Sequence, residues 1–161
     1  MIVGVISDTH GKVRPEALDA LAGSDVILHA GDVGGPHVLE ALEAIAPVHA
    51  IRGNVDLPSA LRSRKRASID PDWAADLPDT LDLELDGARV HLVHALADLA
   101  PATRADVIVS GHSHQPSVER RDGILWLNPG SAGPRRFSLP VTVALLRGEG
   151  GDFEAELVHL G

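Results

Sequence analysis

Five apolar runs of this chain each end at a residue able to bind a metal. VGVIS precedes Asp8, VILHAG precedes Asp32, VHAIRG precedes Asn54, VHLV precedes His94 and DVIVSG precedes His112. Parallel strands of an α/β protein present their carboxyl ends on one side, where ligands bind, so residues far apart in sequence converge there. His10 and His114 each lie two residues beyond a strand-end candidate and bring the set to seven. That is more than one ion takes, so the pattern calls for one sheet edge and a cluster of two ions.

The rest of the composition narrows the chemistry. With 161 residues, the chain fits one domain over 1–161 with a single core. Its 44% hydrophobic and 23% charged residues are ordinary for a folded, soluble protein. The start at Met1 has no basic segment and too short an apolar run for a signal peptide, and no stretch is long enough to span a bilayer. There is no cysteine, which removes disulfides, thiolate zinc sites and cysteine nucleophiles together. A cytoplasmic location fits that absence. The formal charge of −9 opposes general or sequence-specific nucleic-acid binding, which draws on paired Lys and Arg charges. An anionic small molecule is still accessible if bound cations reverse the local field.

Along the chain, the first half alternates strand and helix: strand 2–7, helix near 15–22, strand 25–30, helix near 36–46, strand 47–52. Pro15 suits the first helical position and Gly23 stops the helix at Leu21. Residues 56–79, broken by Pro58, Pro71 and Pro78, read as a long surface loop with one short helix. Its run of Arg62, Arg64, Lys65 and Arg66 is read as a solvated face. Asp86-Gly87 between LDLEL and ARVHLV is a strong hairpin signal. Further hairpins are expected at Arg121–Gly123 and Gly148–Gly151, and a helical stretch near 96–104. Parallel units followed by hairpins predict an α/β fold with two mixed β-sheets packed together and helices outside.

Imidazole nitrogens mixed with carboxylate and amide oxygens suit Mn, Fe, Zn, Co or Ni rather than calcium. Two such ions about 3.5–4 Å apart can share a carboxylate, hold a hydroxide and clamp the oxygens of an in-line displacement at phosphorus. That is the chemistry of a phosphoester hydrolase.

The blocks Asp8-Thr9-His10, Gly31-Asp32, Gly53-Asn54, His94 and Gly111-His112-Ser113-His114, in that order, resemble the calcineurin-like metallophosphoesterases. Asn128-Pro129-Gly130-Ser131 and Pro134-Arg135 extend the likeness to the small bacterial and archaeal phosphodiesterases of that superfamily. The resemblance implies a four-layer αββα sandwich of two mixed β-sheets flanked by helices. It places Asp8, His10 and His114 on one divalent ion and Asn54, His94 and His112 on the other, with Asp32 bridging both. Asp32, Asn54 and His112 also carry the catalytic assignment, and the expected cofactor is a pair of Mn²⁺ ions. A bridging hydroxide would then attack a small or activated phosphodiester, and no protein nucleophile is needed. Arg135, after the NPGS turn, is a candidate to grip a phosphate oxygen. By analogy the chain would form a small homo-oligomer.

Two positions depart from the wider superfamily. Val55 follows Asn54 where larger members carry a histidine thought to protonate the leaving oxygen, so acidic leaving groups should react best. His94 is followed by Ala95 rather than glycine and a second histidine, and Asp98 is the next polar group available there. His29 is read either as a partner that holds the Asp32 loop or, in preference, as a packed strand residue. His37, His49, His91 and His159, which have no motif around them, are read as surface or half-buried. Trp73 and Trp126 are read as packing anchors. The rival from another class is a non-catalytic, metal-binding protein-interaction scaffold of the same fold. In a trafficking relative several ligand positions are degraded, whereas here none is.

Overall fold

In the computed structural model, which describes residues 1–63 and 69–161, the first strand is buried on both faces, its side chains alternating between two cores. Strand β1 (Ile2–Ile6) turns Val3 and Val5 into the space between two sheets, while Ile2 and Ile6 face outward against helices. It is followed by α1 (Pro15–Leu21), β2 (Val26–His29), α2 (Pro36–Glu43), β3 (Val48–Ala50) and α3 (Pro58–Ser63). The remaining strands are β4 (Thr80–Leu85), β5 (Ala88–Val93), β6 (Val107–Val109), β7 (Ser117–Arg121), β8 (Ile124–Asn128), β9 (Thr142–Glu149) and β10 (Asp152–His159). Both α1 and α2 start on a proline, whose fixed φ and missing N–H suit the first helical position.

The strands form two mixed five-stranded sheets, ordered β10-β9-β1-β2-β3 and β4-β5-β6-β8-β7. Pairs β1–β2 and β2–β3 are parallel in the first sheet, and β5–β6 and β6–β8 in the second. Between the sheets lies the main core, with Val5, Leu28, Leu92, Val109, Leu127 and Leu146 fully or almost fully buried. Each such side chain stabilises the fold by about 1.5–3 kcal/mol relative to exposure. Ala17, Leu21, Val38 and Leu42 of α1 and α2 cover the outer face of the first sheet. Close contact is possible because residue 4 is glycine: a Cβ there would come within 2.8 Å of Leu21 Cδ2.

All three expected hairpins form. Asp86-Gly87 and Asp122-Gly123 both have positive φ at each central residue, the handedness that matches strand twist. Gly150-Gly151 joins β9 to β10 in the same way. The expected helical stretch near 96–104 is shorter than the sequence suggests, a single 3-10 turn at Leu96–Asp98. Pro101 explains this, since it lacks an N–H and turns Ala100 away from helical geometry. The outer face of the second sheet is covered instead by Leu99, Ala105 and Trp126. Within 56–79 the short helix is α3; Arg64, Lys65 and Arg66 of the basic run lie outside the described residues, and Arg62 pairs loosely with Asp72 at 3.6 Å. Strands β1, β2 and β3 of one sheet and β5 and β6 of the other open their carboxyl ends onto a shared edge, which is where the seven candidates lie.

Candidate metal centre

Three of the five strand ends, those of β1, β2 and β6, feed side chains into this edge through a sharply turned backbone. Asp8, His10, Asp32, His112 and His114 have φ of 54°, 47°, 55°, 71° and 63°, the left-handed region. Such a conformation costs a non-glycine residue about 1–3 kcal/mol and persists where the surroundings over-determine it. Of the three other left-handed non-glycine residues among the described residues, Asp86 and Asp122 belong to hairpin turns and Phe137 to a surface turn. The concentration at the strand ends therefore marks the edge as a site.

Potential ligand atoms gather in two groups. Asp8, His10 and His114 form one; Asp32, His94 and His112 form the other, with the atoms of each group within 4.8 Å of one another. Asp32 Oδ2 touches both, 3.7 Å from His10 Nε2 and 3.2 Å from His94 Nε2. Asp8 Oδ1 lies 3.4 Å from His114 Nε2 and 3.9 Å from His94 Nε2. Asn54 opens a 3-10 turn and lines a cleft together with His94. Glycine at 53 is required, because a Cβ there would come to 2.2 Å from Asp32 N and Oδ1.

The far sides of three candidate ligands, Asp8, Asp32 and His94, are held by the protein, whereas His114 Nδ1 is buried without a hydrogen bond. Asp8 Oδ2 accepts from Ser7 Oγ at 2.6 Å and from the His112 amide at 3.0 Å, which turns Oδ1 to the site. Asp32 Oδ1 accepts the Val55 N–H at 3.1 Å, leaving Oδ2 free. His94 Nδ1 donates to the Ala30 carbonyl at 2.8 Å, so its Nε2 faces inward. This is how metal-binding imidazoles are usually oriented. Asp8 Oδ1 and His94 Nε2 are buried without a hydrogen bond, and the Nε2 atoms of His10 and His114 stand 3.3 Å apart. A cation bound among these atoms would satisfy all of them, so the donor set fits divalent ions with mixed nitrogen and oxygen preference.

Electrostatics agree with the geometry. Burial disfavours ionised Asp32, but contact with His94 and the Val55 amide outweighs it and holds the carboxyl well below the usual range. Burial also opposes a charge on His94, yet Asp32 beside it raises the imidazole to about 9. In the metal-free protein a proton thus occupies ground that a cation would take. Burial lowers the pKa of His10, helped by the charges of His114 and Arg136 and opposed by Asp32 and Asp8.

Beside the ligands, Asn128 Nδ2 donates to the Gly111 carbonyl and to Ser113 Oγ, both at 3.1 Å, and so fastens the loop of His112 and His114. Ser131 Oγ donates to the Asp8 carbonyl at 2.9 Å. Arg135 is not brought to the ligand groups; its guanidinium donates to the Gly161 carbonyl, while the charge of its neighbour Arg136 reaches His10. His91 is buried rather than half-exposed, with Nδ1 2.8 Å from Asp82 Oδ1 on the neighbouring strand.

Two supporting residues stand outside the ligand motifs: His29, one of whose two readings from the sequence is this supporting role, and Asp56, which the sequence does not single out. His29 Nδ1 accepts the Gly31 N–H at 3.1 Å and its Nε2 meets Thr9 Oγ1 at 3.0 Å, so it joins the loops carrying Asp8 and Asp32. Full burial lowers its pKa to about 4 and keeps it neutral. Asp56 is fully buried and accepts three amide N–H bonds, from Val33, Gly34 and Gly53. Burial raises its pKa against the opposing pull of those bonds. The one hint in the sequence is its place two residues after Asn54.

With this geometry in hand, the comparison with known proteins is direct. The chain belongs to the calcineurin-like phosphoesterase superfamily, whose domain matches residues 1–151. It is 35% identical to a probable metallophosphoesterase of Methanothermobacter thermautotrophicus, over 100% of this chain and 94% of that protein. It is 26% identical to a phosphodiesterase of Methanocaldococcus jannaschii, MJ0936, over 81% of this chain and 83% of the other. The fold matches the zinc complex of Vps29 from Entamoeba histolytica with a TM-score of 0.69, at 22% identity and with 100% of both chains covered. The chain is thus a metallophosphoesterase-family protein with two candidate metal-binding groups.

Proposed function

We propose that the protein is a metal-dependent phosphodiesterase that hydrolyses a small or activated phosphodiester at two divalent ions, Mn²⁺ being the first choice. The observation that carries this reading is the pairing of Asp8 Oδ1 and Asp32 Oδ2 with inward-facing imidazole nitrogens, buried and without hydrogen bonds at Asp8 Oδ1 and His94 Nε2. Asp8, His10 and His114 would hold one ion and Asn54, His94 and His112 the other, with Asp32 shared. Ions bound there supply a hydroxide nucleophile near neutral pH and neutralise charge on the phosphoryl group.

The chain's own residues contribute position. Ser7, Ala30, Val55 and the His112 amide fix the ligands from behind, so no rearrangement is needed when substrate arrives. Arg135 and Arg136 are neighbours on one loop, and Arg136, whose charge reaches His10, is the better placed to meet the anion. Residue 55, next to Asn54, offers no proton donor: Val55 has an apolar side chain, and its N–H is committed to Asp32. The leaving oxygen therefore receives no proton from that position. The name of the M. jannaschii relative supports diester chemistry.

The likeness to Vps29 supports a second reading, a protein-interaction scaffold. The full set of seven ligands favours the enzyme. Metal is removed by chelation and the protein assayed on an aromatic phosphodiester with and without added Mn²⁺. Turnover that returns with the ion and nearly vanishes in Asp32→Asn or His112→Ala supports the hydrolase; full metal occupancy without turnover of any diester supports the scaffold.

A further inference from the structure

The cleft beside His94 has a lining that the metal ligands leave unused. It encloses about 450 Å³, within the range of small-molecule sites, and is bounded by Asn54 and His94 with Arg52, Leu57, Asp79 and Asp98. Its one guanidinium is already committed: Arg52 Nε and Nη2 both lie 3.0 Å from Asp79 Oδ1. That pair is neutral as a unit. Asp98 differs, because among the described residues its side chain has no hydrogen bond or ion pair, and only its amide is engaged, with the Ala95 carbonyl. Apart from the candidate metal ligands, the one uncompensated side-chain charge of this lining is therefore that of Asp98.

Apolar surface meets that charge. Leu57 is 36% exposed, and Leu96, on the same 3-10 turn as Asp98, is 48% exposed. They are two of five large hydrophobic side chains left exposed among the described residues, and both follow a metal-ligand candidate by two or three positions. Of the two, Leu57 lines the cleft itself, beside Val93, and gives it an apolar wall, while Leu96 adds exposed apolar surface on the turn that carries Asp98.

We infer that this cleft receives an esterified arm of the substrate and selects an arm that is uncharged or cationic and carries apolar surface, of the size of an aryl or nucleoside group. The inference rests on the phosphodiesterase reading and deepens it. The ions would hold the single negative charge of the diester, while Leu57 contacts the ring of the arm and Asp98 accepts a hydrogen bond from it. A carboxylate or a further phosphate on that arm would meet Asp98, whose side chain has no cation partner among the described residues, and like charges about 4 Å apart disfavour binding by about fivefold. Asp98 and Leu57 are thus specificity residues outside the ligand set.

The test uses the Mn²⁺-loaded full chain and two symmetric diesters, bis(4-nitrophenyl) phosphate and bis(4-carboxyphenyl) phosphate. Each variant is compared with the unsubstituted protein on the same diester, which cancels the difference in intrinsic reactivity. Asp98→Lys should raise kcat/KM on the carboxylated diester about tenfold and leave or lower that on the nitrophenyl diester. Leu57→Ser should raise KM for the nitrophenyl diester about tenfold with kcat kept, since a lost apolar contact in a pocket has that scale. Val118→Ser, an exposed apolar position on β7, should change neither. Equal effects of Asp98→Lys on both diesters, or an unchanged KM in Leu57→Ser, would overturn the inference while leaving the unsubstituted protein active. Absence of turnover of both diesters by the unsubstituted, Mn²⁺-loaded protein would instead remove the phosphodiesterase reading and this inference with it.

Discussion

Asp56 Oδ2 accepts the amide N–H of Gly53 at 2.9 Å, and the same carboxylate takes those of Val33 at 3.0 Å and Gly34 at 2.9 Å. One buried side chain thereby ties the loop before Asn54 to the loop after Asp32. Asp56→Asn keeps the shape but turns an NH₂ toward N–H groups that need an acceptor. The expected cost is about 2–3 kcal/mol of stability, read from denaturant midpoints. Metal affinity should fall about tenfold through displaced ligands. A variant as stable as the original, with unchanged metal binding, would contradict the clamp.

Steric room around the ligands gives a second prediction. A Cβ at Gly53 would reach 2.2 Å from Asp32 Oδ1, whereas one at Gly23 would meet nothing within 4 Å. Gly53→Ala should therefore reduce metal-dependent turnover by about 100-fold, the scale of a displacement near 1 Å in a reacting geometry. Gly23→Ala should leave it unchanged. Equal activities in the two variants would show that Asp32 needs no such close approach.

The metal-free protein should be most stable near pH 6.5. His94 has a folded pKa of about 9, above its ordinary value, so its contribution is full below 6.5 and is lost as pH rises through 9. For His29 the sign is opposite. Its folded pKa is about 4, so the unfolded chain takes up a proton first and stability falls as pH drops from 6.5 toward 4. With Mn²⁺ bound, His94 is held without its proton and the alkaline decline should disappear. Thermal midpoints measured from pH 4 to 10, with and without the ion, check this; a metal-free midpoint that stays level from 6.5 to 9 would refute it.

Much of this arrangement is legible in the sequence because apolar runs and glycine turns are local signals. The runs ending at Asp8, Asp32, Asn54, His94 and His112 place those residues at strand ends, and Asp86-Gly87 announces its hairpin. Other features depend on contacts that only folding makes. Left-handed backbone at Asp8, His10 and His114 leaves no mark, since Asp and His adopt it without glycine's help. Asp56 reads as a loop acid until three amides from two loops converge on it. The stretch near 96–104 has helix-forming residues, but Pro101 outweighs their propensity and leaves a single turn. Arg135 and Arg136 are alike as letters, and the fold sends one to Gly161 while the charge of the other reaches His10.

Val55 beside Asn54 leads to a prediction about leaving groups. With no side-chain acid there, rates across aryl and alkyl diesters should fall steeply as the departing alcohol becomes less acidic. Placing histidine at position 55 should flatten that dependence. A slope near zero in the unsubstituted protein would reveal a proton donor elsewhere in the site.

The number of Mn²⁺ ions held per chain tests the central claim most directly. After chelation and reloading at saturating ion, metal analysis should find two per chain, and His94→Ala should lower that to one while Asp8, His10 and His114 keep theirs. One ion or none in the unsubstituted protein would contradict a shared two-ion centre built on Asp32.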